Sequence, residues 1–371
     1  MDKVLPSPLT QRPGLADVGY YMVGISELPG FDRIIKLSSN ESPLGPSPIA
    51  LAAAAVALKE AHRYPEVGLQ ELPEAIAERF DLDPSKIAFG PGSDEILLRL
   101  VNIYSGPGDE LIHSEHAYMQ FPIYALRAGS TPVAAIDDDF RHSVDNILDC
   151  VSERTKIVLI ANPDNPSGTY LPGKEVERLR ESLRNDILLI VDSAYDEYAR
   201  ADDYESATHM VNDYRNVVVT RTFSKLFCLA GLRLGWCYGP ADVIDLMERV
   251  GPSFPVNVAA QAAGTAAIRD KDHIRAVLAH NGEWIEKFSA SLRAIGLKTY
   301  PSQTNFILVQ FPDGGEKSAS NADEFLKSRG IVGRKFAVED FRDKLRFTVG
   351  LDTEMETTIA ALPSFMAGQG R

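Results

Sequence analysis

Cysteine is scarce in this chain. Cys150, Cys228 and Cys237 are the only three in 371 residues, and neither their number nor their spacing supplies a disulfide framework or a zinc site, which points to a reducing compartment. Basic side chains are outnumbered as well, with 38 Lys and Arg against 52 Asp and Glu and a formal net charge of −14. A surface of that sign repels phosphate backbones, so a general nucleic-acid or anionic-membrane binder is excluded, and any anionic ligand must be held by a local cluster. Long apolar runs are missing too: the longest, residues 49–58, is alanine-rich and too short to span a bilayer. The opening MDKVLPSPLTQRPG has no basic stretch followed by an apolar one and does not read as a signal peptide. A cytoplasmic protein without membrane or nucleic-acid partners is the expectation.

What is present suits a folded globular protein: 44% of residues are apolar and 24% charged, enough to bury a sizeable core in two or three structural units. Short runs rich in Val, Ile and Leu recur at 86–89, 110–114, 132–136, 156–161, 187–192, 217–220 and 234–238. Stretches of helical length separate most of them, and those at 175–183 and 242–250 carry apolar residues at helical spacing. That alternation predicts an α/β fold with a mostly parallel sheet. The first thirty residues are rich in Gly and Pro, whereas the part after 257 reads as mainly helical, with one long helix over 273–297, strands at 305–310 and 345–349 and a helix at 322–329. The expected division is an N-terminal arm with the start of a small domain over 1–45, a large domain over 46–265 and a small C-terminal domain over 266–371.

Four segments carry chemistry. In TRTFSKLFCLAGLRLGW, residues 220–236, a strand runs into hydroxyls beside Lys225 and then a Gly-rich stretch with Arg233. A free lysine is protonated at neutral pH and a poor nucleophile, so a catalytic one is desolvated or condensed with an aldehyde, and pyridoxal phosphate supplies such an aldehyde. Thr222, Ser224 and Arg233 would then hold its phosphate. Upstream, ILLIVDSAYDEY ends an apolar strand in Asp192, a carboxylate that either caps the next helix or pairs with a pyridinium nitrogen, with Tyr195 in reach of the ring's phenolic oxygen. ANPDNPSGT places Asn165 in a turn at a strand's carboxyl end, where ligands of open α/β sheets bind. GPGSDEILL opens a helix with Ser93 and Asp94, whose free N–H groups either are simply capped or cradle a phosphate. Tyr118, in EHAYMQF, is a core aromatic or stacks on a flat cofactor, and its neighbour His116 receives no catalytic role.

Asn165, Asp192, Tyr195, Ser224, Lys225 and Arg233, in that order and spacing, resemble the fold-type I pyridoxal-phosphate aminotransferases. More narrowly, KLSSNESPLGPSP, RYPEVGLQEL, NPDNPSGTYLP, TRTFSKLFCLAGLRLGW and LRFTVG are similar to segments of the histidinol-phosphate aminotransferase family, over nearly the whole chain. The resemblance implies that Lys225 is linked to the cofactor, that Asp192 sits at the ring nitrogen, and that Asn165 and Tyr195 sit at the ring oxygen with Tyr118 stacked on the ring. It implies that Ser93 and Asp94 (through main-chain N–H groups), Thr222, Ser224 and Arg233 hold the phosphate, with Tyr64 reaching across from the partner of a homodimer. Tyr21, Asn165, Arg334 and Arg346 are the implied substrate contacts.

The chain departs from the pattern at Ser193, where much of the superfamily has an acid, at Pro255 in SFPVN, and in KFAVEDFRDK after Arg334. The last two lie where substrate would be selected. The expected activity is a ping-pong amino transfer between histidinol phosphate and 2-oxoglutarate; an aromatic amino-acid aminotransferase and a threonine-phosphate decarboxylase-like lyase are the alternatives on the same scaffold.

Overall fold

The computed structural model describes residues 14, 15, 18, 24–65, 69 and 71–368. Its strands are β1 (Ile35–Lys36), β2 (Ile87–Gly90), β3 (Glu110–Ser114), β4 (Thr131–Ala135), β5 (Thr155–Ala161), β6 (Leu188–Asp192), β7 (Val217–Thr222), β8 (Gly235–Tyr238), β9 (Lys298–Thr299), β10 (Phe306–Gln310), β11 (Ile331–Val332) and β12 (Lys344–Thr348). Its α-helices are α1 (Pro48–Ala57), α2 (Leu72–Phe80), α3 (Ser93–Tyr104), α4 (Gln120–Ala128), α5 (Val144–Asp149), α6 (Gly173–Ser182), α7 (Ala241–Val250), α8 (Val258–Arg269), α9 (Lys271–Ala294), α10 (Ala319–Lys327) and α11 (Asp352–Met366).

A seven-stranded sheet runs in the order β2-β8-β7-β6-β5-β3-β4. Strands β3 to β7 are parallel to their neighbours, as the alternation of apolar runs with helical stretches predicts. Strand β8 is the exception, antiparallel to both β7 and β2. The reason is the connection: residues 223–234 contain one short 3-10 turn, Ala230–Leu232, and no crossover helix, so the chain returns beside the strand it left.

Successive residues of the central strands face opposite sides of the sheet. Val158, Ile160, Leu189, Val191, Val217 and Val219 pack on one side with Phe223 and Trp236, while Ile157, Leu159, Leu188, Ile190 and Val218 pack on the other with residues of α3, α4 and α7. These strands are apolar on both faces because helices cover both. On the first side α8 is built from small residues, Ala259, Ala260, Ala263, Gly264 and Ala267, and lies close to Ala50 and Ala54 of α1. A Cβ at Gly264 would stand 2.5 Å from Leu234 Cδ2. Helix α1 begins where Ser47 accepts from the Ala50 N–H, and the Ser47 hydroxyl also donates to Asp270, the N-cap of α9, at 2.5 Å.

A separate apolar cluster of Trp284, Phe288, Ile307, Val309, Leu345, Phe347 and Met355 joins α9 and α11 to the antiparallel sheet β12-β10-β9. Strand β1 pairs in parallel with β11, so residues just before the large sheet belong with the C-terminal part of the chain. Among the described residues no helix is long and apolar enough to cross a membrane.

Candidate active site

Strands β5, β6 and β7 are adjacent and parallel, and the register sets Ala161 beside Asp192 and Asp192 beside Thr220. Their carboxyl ends therefore open at one place, and the loops leaving them bring Asn165, Asp192 and Lys225 to one cleft of about 400 Å³. The Asn165 loop is held locally: the Asn162 side chain donates to the Leu171 carbonyl at 3.1 Å and accepts from its N–H at 2.9 Å.

Asp192 is 7% exposed and accepts a hydrogen bond from Thr220 Oγ1 at 3.0 Å. Burial pushes its carboxyl up to about 7, against the Thr220 bond and the Lys225 charge that favour the carboxylate, while Asp94 nearby adds to the rise. A cation set beside it would restore its ionised form. Lys225 is affected in the opposite sense: burial, then the charge of Arg346, brings its ammonium down to about 8. Its Nζ lies 5.8 Å from the Tyr195 ring centroid. A neutral amine is accessible there near physiological pH, which is what nucleophilic attack on a carbonyl needs.

The Tyr195 hydroxyl accepts from Asn40 Nδ2 at 2.8 Å. Asn40 is 2% exposed with a left-handed φ of 54°, and the Thr348 hydroxyl donates to its Oδ1 at 3.1 Å. Its main-chain carbonyl accepts from Asn305 Nδ2, also at 3.1 Å. Sequence reading placed Asn40 in a family-like segment without a role. Its one local signal is that asparagine tolerates left-handed backbone where it precedes a Pro- and Gly-rich turn.

At the other end of the cleft, α3 begins at Ser93 after Gly92, whose φ is 95°. The free N–H groups and dipole of this twelve-residue helix favour negative charge there. Facing them are Thr222, which accepts from the Ser224 N–H at 3.0 Å, and Arg233, whose Nη1 donates to Ser224 Oγ at 3.3 Å and to the Ala230 carbonyl at 3.0 Å. The cup is tight: a Cβ at Gly92 would lie 2.2 Å from Arg233 Nη2, and one at Gly235 would lie 2.5 Å from the Ser93 nitrogen. The Asp94 carboxylate is not turned to an anion but accepts from the Tyr124 hydroxyl at 2.6 Å.

The third wall comes from the C-terminal part. Arg334 and Arg346 exchange main-chain hydrogen bonds, N–H of Arg334 to the Arg346 carbonyl at 2.8 Å and the reverse at 3.0 Å, so both side chains leave one side of the pair. They are 8% and 6% exposed. Arg346 donates to Asn165 Oδ1 and, at 3.1 Å, to the Ser38 carbonyl. Phe336 is near both, its ring centroid 5.9 Å from the Arg334 guanidinium carbon and 5.6 Å from that of Arg346. Two buried guanidiniums side by side form a site for an anion.

Of the residues singled out in the sequence, Ser93, Asp94, Tyr118, Asn165, Asp192, Tyr195, Thr222, Ser224, Lys225, Arg233, Arg334 and Arg346 all line this cleft. Tyr118 stands edge-on to Phe121, with ring centroids 5.8 Å apart. Tyr64 is elsewhere, 81% exposed and stacked on Phe254 at 4.5 Å. Tyr21 lies outside the described residues. Asn40, Phe336 and the main-chain carbonyl of Ser38 are the contributions that sequence reading missed. Together the cleft offers a buried acid for a cationic ring nitrogen, a lysine near neutrality, a cup for a phosphate and a paired arginine site for a second anion.

The aminotransferase class I and II family matches residues 32–362. The chain is 46% identical over 361 residues to the histidinol-phosphate aminotransferase of Paramagnetospirillum magneticum, covering 97% of this chain and 99% of that one. It is 46% identical over 357 residues to the histidinol-phosphate aminotransferase of Rhodospirillum centenum, covering 96% and 98%. A solved structure of histidinol-phosphate aminotransferase from Sinorhizobium meliloti, in complex with pyridoxal-5'-phosphate, superposes with a TM-score of 0.84 at 28% identity, covering 91% of this chain and 92% of that one.

Proposed function

We propose that this chain, which belongs to the family of class I and II aminotransferases, carries pyridoxal 5'-phosphate and transfers the amino group of histidinol phosphate to 2-oxoglutarate by a ping-pong mechanism. The observation that carries the reading is the single cleft lined by buried Asp192, half-buried Lys225 and the buried pair Arg334 and Arg346. Full-length identity to histidinol-phosphate aminotransferases supports the substrate.

When bound, the cofactor supplies an aldehyde for the amine and a protonated ring that accepts the electrons released at the substrate Cα. Asp192, as a carboxylate, would hold the ring nitrogen and keep it protonated. Asn165 and Tyr195 would hold the ring oxygen, and Tyr118 would cover the ring. Ser93 and Asp94 through main-chain N–H groups, with Thr222, Ser224 and Arg233, hold the phosphate. Lys225 would hold the cofactor through its aldehyde, and its Nζ, as a free amine, would take the proton released at the substrate Cα. Arg334 and Arg346 bind the substrate anion. Histidinol phosphate carries a phosphate ester where glutamate carries a carboxylate, and a pair of arginines suits both halves of the reaction. Tyr21 completes the proposed substrate contacts.

The same reading makes the protein a cytoplasmic homodimer, with Tyr64 of one subunit reaching the cofactor phosphate of the other. Exposed apolar side chains support a covering second copy: Leu51 and Val56 on α1, Leu58 just after it, and the stacked pair Tyr64 and Phe254. The division into an arm with the start of the small domain at 1–45, a large domain at 46–265 and a small domain at 266–371 belongs to this proposal.

An aromatic amino-acid aminotransferase is the second reading, favoured by Phe336 and Met119 in the cleft wall beside Arg334. The experiment that separates them adds single amino donors to the purified, cofactor-loaded protein and follows its absorbance. Histidinol phosphate and glutamate should each convert the cofactor to pyridoxamine phosphate. A response to phenylalanine and glutamate without one to histidinol phosphate would replace the first reading by the second.

A further inference from the structure

The loop between β4 and α5 buries His142, which is 4% exposed. Its Nδ1 lies 3.4 Å from Asp137 Oδ1. Its Nε2 lies 3.0 Å from the Ala161 carbonyl and 3.5 Å from Asp164 Oδ1. Ala161 ends β5, and Asp164 is the residue before Asn165.

Asp137 already takes hydrogen bonds from the Ser114 hydroxyl and, at 3.0 Å, from His116 Nδ1, so it is held as a carboxylate well below the usual range. Both His142 nitrogens thus face acceptors. A neutral imidazole has one N–H and would set a lone pair against an oxygen at the other nitrogen; an imidazolium satisfies both. Asp164 Oδ2 accepts from the Ser167 hydroxyl at 2.6 Å and its N–H at 3.2 Å, while its buried Oδ1 has no hydrogen-bond partner and faces His142. The remaining titratable groups nearby are His113, which burial favours in its neutral form and which turns its Nδ1 to the Ser114 carbonyl at 2.8 Å, and Glu115 and Asp340, which flank His116 at 3.7 and 3.4 Å.

We propose that His142 is a positioning residue that works as a buried imidazolium: its two N–H groups tie Asp137 to the Ala161–Asp164 turn and thereby hold Asn165 against Arg346. The functional half of this inference rests on the reading that Asn165 and Arg346 meet substrate; the charge state of His142 does not. Two carboxylates outweigh the effect of burial and raise the imidazolium to about 8. A group whose folded value is raised stabilises the fold below its unfolded value, here 6.5, and that contribution is lost as pH rises through about 8.

The test uses the full chain with ¹⁵N-labelled histidine, the His142 resonances being assigned by their loss in His142→Gln. At pH 7 both ring nitrogens should carry protons, and the titration midpoint should move to lower pH in Asp164→Asn, which keeps an acceptor but removes a charge. A neutral tautomer at pH 7, or an unmoved midpoint in Asp164→Asn, overturns the proposal whatever the substrate proves to be. In the cofactor-loaded enzyme, His142→Gln should raise KM for the amino donor about tenfold with a smaller fall in kcat, because it misplaces Asn165 while leaving Lys225 and Asp192 in place. An unchanged KM would reduce His142 to a structural role and overturn the functional half. If that variant does not fold, the rise of KM with pH should begin at lower pH in Asp164→Asn than in the parent, and coincident profiles would count against it.

Discussion

Asp192 is the residue at which stability and the proposed function oppose each other. Its carboxyl has an ordinary value of 3.8 and is raised to about 7 by burial, so the fold binds that proton more tightly than the unfolded chain does. The sign follows: the cofactor-free protein loses stability as pH climbs from 3.8 to about 7 and keeps the loss above it. Replacing Asp192 by Asn removes the titrating group. Thermal unfolding of cofactor-free Asp192→Asn should show it more stable than the parent at pH 8 by on the order of a few kcal/mol, with the difference gone near pH 4, while its amino transfer is slow for want of a protonated ring. Parallel pH profiles for the two proteins would show that Asp192 is not the strained carboxyl described here. Lys225 is shifted the other way, also by burial, so the values of both groups are drawn toward physiological pH.

Between elements, the closest approach at the site is that of β8 to the start of α3. A Cβ at Gly235 would fall 2.5 Å from both the Gly92 carbonyl carbon and the Ser93 nitrogen. Those are backbone atoms, so no change of rotamer relieves the contact and the strand and helix must separate. Gly235→Ala should therefore weaken binding of pyridoxal phosphate by about tenfold or more, comparable to losing one good phosphate contact, and leave binding of unphosphorylated pyridoxal nearly unchanged. Titration of the apoprotein with each compound checks this, and equal losses for both would place the damage outside the phosphate cup. The antiparallel β8 that makes this approach was not readable from the alternation of apolar runs, because direction is decided by what the connection can span. The loop 223–234 is too short in helix to cross over, and as a result Lys225 and Arg233 lie on the two legs of one turn.

Across the whole molecule, α1 buries one side and leaves the other exposed. Ala50 and Ala54 are buried toward α8, whereas Leu51 and Val56, and Leu58 just after the helix, are 53%, 64% and 55% exposed. Neighbouring Tyr64 and Phe254 stack on one another with their faces open. Charged substitutions at Leu51 and Val56 together should convert a dimer to monomers in analytical ultracentrifugation and abolish transfer activity with Lys225 and Asp192 intact, since the proposed phosphate contact of Tyr64 comes from the second copy. A double variant that sediments like the parent would locate the subunit contact elsewhere.

The parts of this protein written in its sequence alone are those with a local signature. Apolar runs at strand length between amphipathic stretches announce the α/β sheet, because burial on two faces demands them, and a single acid ending such a run, or a lysine between hydroxyls and glycines, is conspicuous against it. Asn165, Asp192, Lys225 and Arg233 were legible for that reason. Tertiary structure decided the rest. Asn40 meets Tyr195 across 155 positions, and Arg346 meets Asn165 across 181. Phe336 becomes a wall only when β12 brings Arg346 beside Arg334, and His142 reaches Asp164, besides Asp137 of its own loop, only when the loops after β4 and β5 come together. No spacing rule connects such residues. Their juxtaposition is a property of the packed sheet and its covering helices, which form to bury apolar surface and in doing so determine which polar side chains share a cleft.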